Sequence, residues 1–316
     1  MKKLLLLGIV AALALPPLAT GQLGRAKQLA KEVAAKAEEA AASRAAEAMG
    51  EPKPDYWVEP MKKVHAKFTG EKGTFAHFGD SITVSRAFWS GLKWSRKNMD
   101  KKTQAAFELV KAYMKDACWA DWKGAQYGND GQMTIRWAHT NVDKWLKDLN
   151  PEVALIMFGT NDLGPLGVEE YETKTRQVVQ KCLDNGTIVI LSTIPPRHGA
   201  DAKVKTFVQA VRKVARDMKV PLSDYYQACM DRRPEDWDGT LAKFRPAGGY
   251  EVPTLISADG VHPSNPSKWR GDYSDEGLKH NGFGLRSYVV LHSYAEVLGK
   301  VIKPVVKLEK PAEPAE

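Results

Sequence analysis

Two uninterrupted apolar runs constrain the fold more than any other feature of the chain. Residues 153–158 read VALIMF between a nearby proline and a glycine, and residues 187–193 read TIVILST shortly before two prolines. Runs of this length, rich in β-branched residues and bounded by turn residues, are typical of strands with both faces covered. Residues 74–78 form a third such run between two glycines. The chain is therefore expected to build a buried parallel sheet.

Helical patterns separate these runs. Five helices are predicted. One has an apolar stripe and ends before Pro151, and four are expected at residues 102–114, 169–183, 202–218 and 284–301. Residues 220–223 and a short segment within 124–131 are further candidate strands, which brings the predicted sheet to five strands. Apolar strands that alternate with helices give a parallel sheet covered by helices on both faces.

The two ends of the chain differ in composition from its centre. Residues 1–21 combine two lysines, an apolar run and small residues, the layout of a secretory signal peptide that is too short for a stable membrane span. Residues 22–55 are predicted to be an Ala-rich helical or disordered spacer, residues 56–305 the domain, and residues 306–316 a disordered tail. The mature protein is therefore expected to be secreted or periplasmic, without a transmembrane segment.

Charge, cysteines and histidines exclude several classes of function. The formal charge is +8, but basic residues are dispersed among acids, so nucleic acid is not an expected partner. Cys118, Cys182 and Cys229 are widely spaced, and both one disulfide and three buried thiols are compatible with them. The seven histidines show no metal-ligand spacing. No metal or cofactor is expected.

Polar side chains follow the predicted strands and occupy the last long loop. Ser81 comes directly after the first strand, where a helix start can stabilise negative charge. A serine hydroxyl needs a base to take its proton, and His262 is the candidate. Asp259, three residues earlier, would hold the other ring nitrogen in the required tautomer. Ligands of parallel sheets bind at the carboxyl ends of the strands, which is where these residues fall.

Four short stretches resemble the four sequence blocks of the SGNH (GDSL-type) hydrolase family. They are Gly79-Asp80-Ser81, the Gly128 and Gly131 pair, Gly159-Thr160-Asn161-Asp162, and Asp259-Gly260-Val261-His262. The resemblance implies a flavodoxin-like three-layer α/β/α domain with a five-stranded parallel sheet that acts on esters.

The same resemblance implies a role for each matching residue. Ser81 matches the nucleophile, and His262 the base with Asp259 as its partner. The backbone N–H groups of Ser81 and Gly131 and the side-chain amide of Asn161 match the oxyanion donors. The second block departs from the usual pattern, because Gln132 and Met133 follow its glycine, and Gly128 remains a rival donor.

The substrate is the least constrained part of the prediction. Six tryptophans in or near the insertions and strand ends could line a sugar-binding rim or pack in the core. Asp80, Arg197 and Trp269 are the candidates for substrate contact. We expect a serine esterase that removes a short acyl group, acetyl in particular, from a carbohydrate or small molecule through an acyl-enzyme. The alternatives are an acyltransferase, a lysophospholipase or a thioesterase that uses the same three residues, and a catalytically inactive carbohydrate-binding domain.

Overall fold

The computed structural model describes residues 55–121 and 131–305. Within them, the strands are β1 (Phe75–Gly79), β2 (Val153–Met157), β3 (Ile188–Ser192) and β4 (Leu222–Ser223). The helices are α1 (Val58–His65), α2 (Ser81–Val84), α3 (Gly91–Trp94), α4 (Lys101–Tyr113), α5 (Ile135–Leu149), α6 (Val168–Asp184), α7 (Asp201–Met218), α8 (Tyr225–Arg232), α9 (Asp275–His280) and α10 (Gly282–Val297), which continues as a π-helical turn, Leu298–Ile302.

The strands form one parallel sheet in the order β1-β2-β3-β4. Phe75 pairs with Val153, and Val153 pairs in turn with Ile188. Every residue of β1, β2 and β3 is buried, as the unbroken apolar runs predict. The described sheet has four strands rather than five, because the predicted strand within residues 124–131 lies outside the described residues except for Gly131. The α/β class with a helix-covered parallel sheet is confirmed.

The helices cover the sheet in two layers. Helices α5, α6 and α7 pack side by side as one layer, and α10 packs with α4 and α8 as the other. The two faces are visible on β1, where the Phe75 ring stacks on Tyr294 of α10 at 4.2 Å and the Phe78 ring stacks on Trp145 of α5 at 4.1 Å. The long predicted helices are confirmed to within a few residues, and Thr134 caps α5 through the Trp137 N–H.

Several sequence predictions concern parts of the chain that the structure does not describe. The signal peptide at residues 1–21, most of the spacer at 22–55, the tail at 306–316, Gly128 and one of the six tryptophans fall there. Within residues 55–121 and 131–305, no helix is both long and apolar enough to cross a membrane.

The tryptophans and cysteines belong mainly to the core. Trp89 and Trp119 are buried and stack on each other with ring centroids 5.3 Å apart, so these two do not form a substrate rim. All three cysteines are free and buried. Burial raises the pKa of the Cys118 and Cys182 thiols to about 12.

Candidate active site

The turn after β1 places Ser81 at the carboxyl edge of the sheet. β1 ends at Gly79, and Ser81 is the first residue of α2, whose N-cap Asp80 accepts the Ile82 N–H through Oδ1 at 3.1 Å. The turn is tight: a Cβ on Gly79 would lie 2.1 Å from Thr83 Oγ1 and 2.6 Å from the Met157 carbonyl oxygen. Only glycine fits between the turn and the neighbouring strand.

A chain of hydrogen bonds joins Ser81, His262 and Asp259. Ser81 Oγ lies 2.9 Å from His262 Nε2, and His262 Nδ1 lies 2.7 Å from Asp259 Oδ2. An ionised carboxylate can only accept, so Nδ1 carries the proton and Nε2 is left to accept the Ser81 hydroxyl proton. Residues 181 positions apart therefore meet in the arrangement that activates a serine.

Hydrogen bonds from its own loop keep the Asp259 side chain ionised. Its Oδ1 accepts hydrogen bonds from Ser257 Oγ at 2.8 Å, from the Val261 N–H at 2.8 Å and from the His262 N–H at 2.9 Å. Burial would raise the pKa of Asp259, but the hydrogen bonds from His262, Val261 and Ser257 outweigh it and hold the pKa well below its usual range. Asp259 is therefore ionised whenever His262 acts.

Asp259 also determines the basicity of His262. Its hydrogen bond raises the pKa of His262 above 6.5, against the opposing effect of burial. Asp80 adds to the increase, and the positive charge of Arg197 opposes it. The imidazole is thus a stronger base than a free histidine.

The predicted oxyanion donors converge on a protein oxygen in this structure. The Ser81 N–H donates to the Gly131 carbonyl oxygen at 2.7 Å. Asn161 Nδ2 donates to the same oxygen at 3.3 Å and to the Met133 carbonyl oxygen at 3.1 Å. Two predicted donors therefore already meet at one point beside Ser81. The Gly131 carbonyl oxygen occupies that point in this structure, and the role of the Gly131 N–H as an oxyanion donor stays a prediction.

Local backbone geometry brings Gly131 and Asn161 to this point. Gly131 has a φ of 96°, a region that favours glycine, and a Cβ on it would lie 3.4 Å from Ser81 Cα. Asn161 follows Gly159, whose φ of 135° and close approach to the Tyr171 hydroxyl also require glycine. The next residue, Asp162, accepts the Ile135 N–H at 2.8 Å and ties this loop to α5.

Asp80 is buried in this structure and is not accessible to a substrate, contrary to the sequence prediction. Its side chain is fully buried, and burial raises its pKa to about 7 although Arg286 opposes that rise. Nη1 of Arg286 donates to the Ile82 carbonyl at 2.6 Å and Nη2 donates to Thr83 Oγ1 at 2.8 Å. Arg286 is itself fully buried, with its guanidinium 3.7 Å from the Phe88 ring centroid. It braces the turn that holds Ser81.

Sequence reasoning missed Arg286, because an arginine within a predicted helix is normally solvated. The only signal was its position in the apolar sequence of the closing helix.

The other predicted contact residues are Arg197 and Trp269. Arg197 Nη1 donates to the Thr160 carbonyl at 2.7 Å. Trp269 is half-buried, and its ring stacks on His280 at 4.8 Å. Substrate contact by Arg197 and Trp269 stays a prediction. In the described part of the chain, no group of three or more His, Cys, Asp or Glu side chains could hold a metal ion.

The fold and the site together have the form of a serine hydrolase: a parallel sheet with a Ser-His-Asp chain at its carboxyl edge. Residues 77–266 match the model of the GDSL-like lipase/acylhydrolase family. This range covers more than half of the chain and includes Ser81, His262 and Asp259. The protein belongs to that family, and it is an esterase-type serine hydrolase that acts on an ester substrate.

A search of solved structures found similar chains from several organisms. The esterase EstA from Pseudoalteromonas sp. is 17% identical, with a TM-score of 0.44 over 72% of this chain and 99% of its own. A lipase/acylhydrolase from Enterococcus faecalis is 17% identical, with a TM-score of 0.44 over 75% and 98%. A GDSL-like lipase from Bacteroides thetaiotaomicron is 13% identical, with a TM-score of 0.41 over 76% and 98%. A comparison with curated proteins gave no match.

Proposed function

We propose that this protein hydrolyses a short acyl ester, acetyl in particular, on a carbohydrate. The observation that carries the proposal is the hydrogen-bonded chain from Ser81 Oγ through His262 to Asp259, at 2.9 and 2.7 Å. In this proposal Ser81 is the nucleophile, His262 the general base and acid, and Asp259 the residue that orients His262.

Each step follows from the positions of these groups. His262 Nε2 takes the Ser81 proton as the oxygen attacks the ester carbonyl, and the Asp259 carboxylate stabilises the imidazolium that forms. The Ser81 N–H and the Asn161 amide bind the oxyanion once the ester oxygen has replaced the Gly131 carbonyl. His262 then protonates the leaving alcohol, and a water activated by the same ring releases the acid from Ser81.

The exposed surface favours a short acyl group over a long one. Among the described residues, large hydrophobic side chains are strongly exposed only at four positions on separate segments: Trp94, Leu241, Tyr250 and Val305. A long acyl chain would require a broad apolar surface. Tyr250 lies beside His262, with ring centroids 6.2 Å apart, and exposed aromatic rings of this kind stack on sugars.

A nucleophile substitution tests the proposal. Ser81→Ala removes the attacking oxygen, so turnover of p-nitrophenyl acetate is expected to fall by at least about 10³-fold, with labelling by a fluorophosphonate probe also lost. Ser293→Ala on α10 is the matched control, since that hydroxyl only donates within its helix, to the Val289 carbonyl. Undiminished turnover by Ser81→Ala would refute the proposal. Product analysis with a competing alcohol separates hydrolysis from acyl transfer.

The site of action follows from the predicted signal peptide. We propose that residues 1–21 direct export, so the enzyme meets its substrate in the periplasm or outside the cell. Cell fractionation of the full chain, with a chain that begins at residue 22 as control, tests this. Equal retention of both in the cytoplasm would contradict export.

A further inference from the structure

A cavity of about 340 Å³ lies between two segments that follow Ser81 and His262 in the chain. One wall comes from residues 86–95 and the other from residues 265–284. A short parallel bridge joins the two walls: the Lys97 N–H donates to the Gly271 carbonyl at 2.7 Å, and the Tyr273 N–H donates to the Lys97 carbonyl at 3.0 Å. The Ser-His-Asp chain uses none of these residues.

Both walls begin just after a residue of the Ser-His-Asp chain. The Ser85 N–H donates to the Ser81 carbonyl at 3.1 Å, so the Cα of Arg86 lies at most about 10 Å from that of Ser81. On the other wall, Asn265 lies three residues beyond His262, and its N–H donates to the Tyr250 carbonyl at 2.9 Å. The distance from Ser81 to the cavity is therefore within the span of a substrate several sugar units long.

The cavity is positively charged. Arg86 and Arg270 line it, and no aspartate or glutamate does. Within the described residues, the Arg86 guanidinium makes no hydrogen bond or ion pair. Arg270 is held weakly, by Glu251 at 3.5 Å and by the Asn265 carbonyl at 3.4 Å. Arginine binds carboxylates through paired N–H groups, so the cavity is complementary to an anion.

The remaining lining suits a sugar. Asn265 places an amide at the wall, and its Nδ2 makes no hydrogen bond within the described residues. Asn281 is buried, and its Nδ2 donates to Asn265 Oδ1 at 3.3 Å, so it positions the Asn265 amide. Trp94, 77% exposed, lies on the segment whose Gly91 and Ser95 line the cavity. Amides bind hydroxyls and an exposed indole stacks on a sugar ring, whereas a lipid would need a wider apolar surface.

From these observations we infer that the cavity is a subsite for a carboxylate-bearing sugar, so that the substrate is an acylated acidic polysaccharide. Arg86 and Arg270 bind the carboxylate, Asn265 binds a sugar hydroxyl, and Trp94 supports a neighbouring ring. The inference rests on the proposed esterase function and specifies the substrate class of that site.

The first test uses two matched polymers and measures acetate release. Acetylated polygalacturonate is compared with the same polymer after methyl esterification of its carboxylates. The ratio of kcat/KM for the acidic polymer to kcat/KM for the esterified one is expected to exceed one, and Arg86→Gln is expected to lower it by about fivefold or more. Lys144→Gln on α5, an exposed lysine paired with Asp148, is the control for the loss of one positive charge and should leave the ratio unchanged.

The second test uses Gly91, where an added Cβ would meet no atom within 4 Å. Gly91→Glu places a negative charge at the wall, and Gly91→Gln adds a side chain of nearly the same size without the charge. Gly91→Glu is expected to give a several-fold lower kcat/KM ratio of acidic to esterified polymer than Gly91→Gln, because the added carboxylate repels the acidic polymer. A side chain at this helical position is also tolerated by the backbone, so both variants should fold.

The outcomes separate this inference from the proposed function. Suppose that the protein hydrolyses p-nitrophenyl acetate in a Ser81-dependent way. A kcat/KM ratio of acidic to esterified polymer near one would then refute the subsite and leave the proposed esterase function intact. A ratio that changes neither with Arg86→Gln nor with the charge at position 91 would do the same. Preferred release of fatty acid from lysophosphatidylglycerol, weakened by Arg86→Gln, would assign the cavity to a lipid phosphate and overturn the inference. Absence of any Ser81-dependent hydrolysis would refute the proposed function itself.

Discussion

The protonation state of His262 decides at which pH Ser81 can be activated. The hydrogen bond that His262 donates to Asp259 raises the pKa of His262 above 6.5, and only the neutral ring accepts the serine proton. Activity is expected to fall as the pH is lowered through a midpoint above 6.5. Asp259→Asn removes the main cause of the rise, so its midpoint moves to lower pH, and its kcat falls by about 10³- to 10⁴-fold.

Profiles of kcat/KM between pH 5 and 9 for both proteins check this prediction. The acid midpoint is expected to move to lower pH in Asp259→Asn, because loss of a neighbouring carboxylate stabilises the neutral ring of His262. An acid midpoint that is the same in Asp259→Asn and in the parent protein would show that another group titrates.

The carbonyl oxygen of Gly131 marks the place where the substrate oxyanion is expected to bind. The Ser81 N–H and Asn161 Nδ2 both donate to it. In a covalent adduct of Ser81 with an alkylphosphonate, both donors are expected to bind a phosphonyl oxygen, and the Gly131 carbonyl is expected to turn away. A crystal structure of the adduct checks this. A Ser81 N–H still 2.7 Å from the Gly131 carbonyl in the adduct would contradict it.

At the scale of single residues, sequence reasoning succeeded where the chemistry is carried by a few adjacent positions. Ser81, His262 and Asp259 were named from their positions in local blocks, and the structure brings them together. Asp80 was misjudged, because its complete burial depends on α10, which lies about two hundred residues further along the chain. Burial by a distant element leaves no local trace in the sequence.

At the scale of elements, α10 supports the turn that carries Ser81. Arg286 crosses from α10 to α2 with hydrogen bonds to the Ile82 carbonyl and Thr83 Oγ1. Arg286→Met leaves both groups and the buried Asp80 without their cationic partner, so the free energy of unfolding is expected to fall by about 3–5 kcal/mol. Urea denaturation of both proteins at pH 8 measures this difference in the free energy of unfolding.

Arg286→Lys is the matched comparison, because it keeps the charge and loses the planar fork. Part of the lost stability is expected to return, since a single ammonium cannot make both hydrogen bonds with the same geometry. A loss below about 1 kcal/mol in Arg286→Met would show that Arg286 does not brace the turn.

The strands and long helices could be predicted because their signals are local. The buried strands are unbroken apolar runs, and the long helices have caps and apolar stripes, as Thr134 and the residues of α5 illustrate. The short helices α3 and α9 were not predicted, because four to six residues carry too little periodicity. Their positions depend on contacts with distant segments, as the bridge from Lys97 to Asp272 shows for the chain after α3.

At the scale of the whole molecule, the described fold does not use disulfides. Cys118, Cys182 and Cys229 are free and buried, and burial raises the pKa of each thiol. None is expected to react with Ellman's reagent in the native protein, and all three should react in denaturant. Reducing agent should not change the melting temperature. A rapid reaction of any thiol under native conditions would contradict the buried arrangement.

The bridge between the two walls of the cavity has a consequence for redesign. Backbone hydrogen bonds join Lys97 to Gly271 and Tyr273, so a length change in one insertion displaces the other, although they are more than 170 residues apart. Chimeras that exchange only one of the two segments between homologous enzymes would break this pairing. Substrate preference is therefore transferable only when both segments are transplanted as a unit.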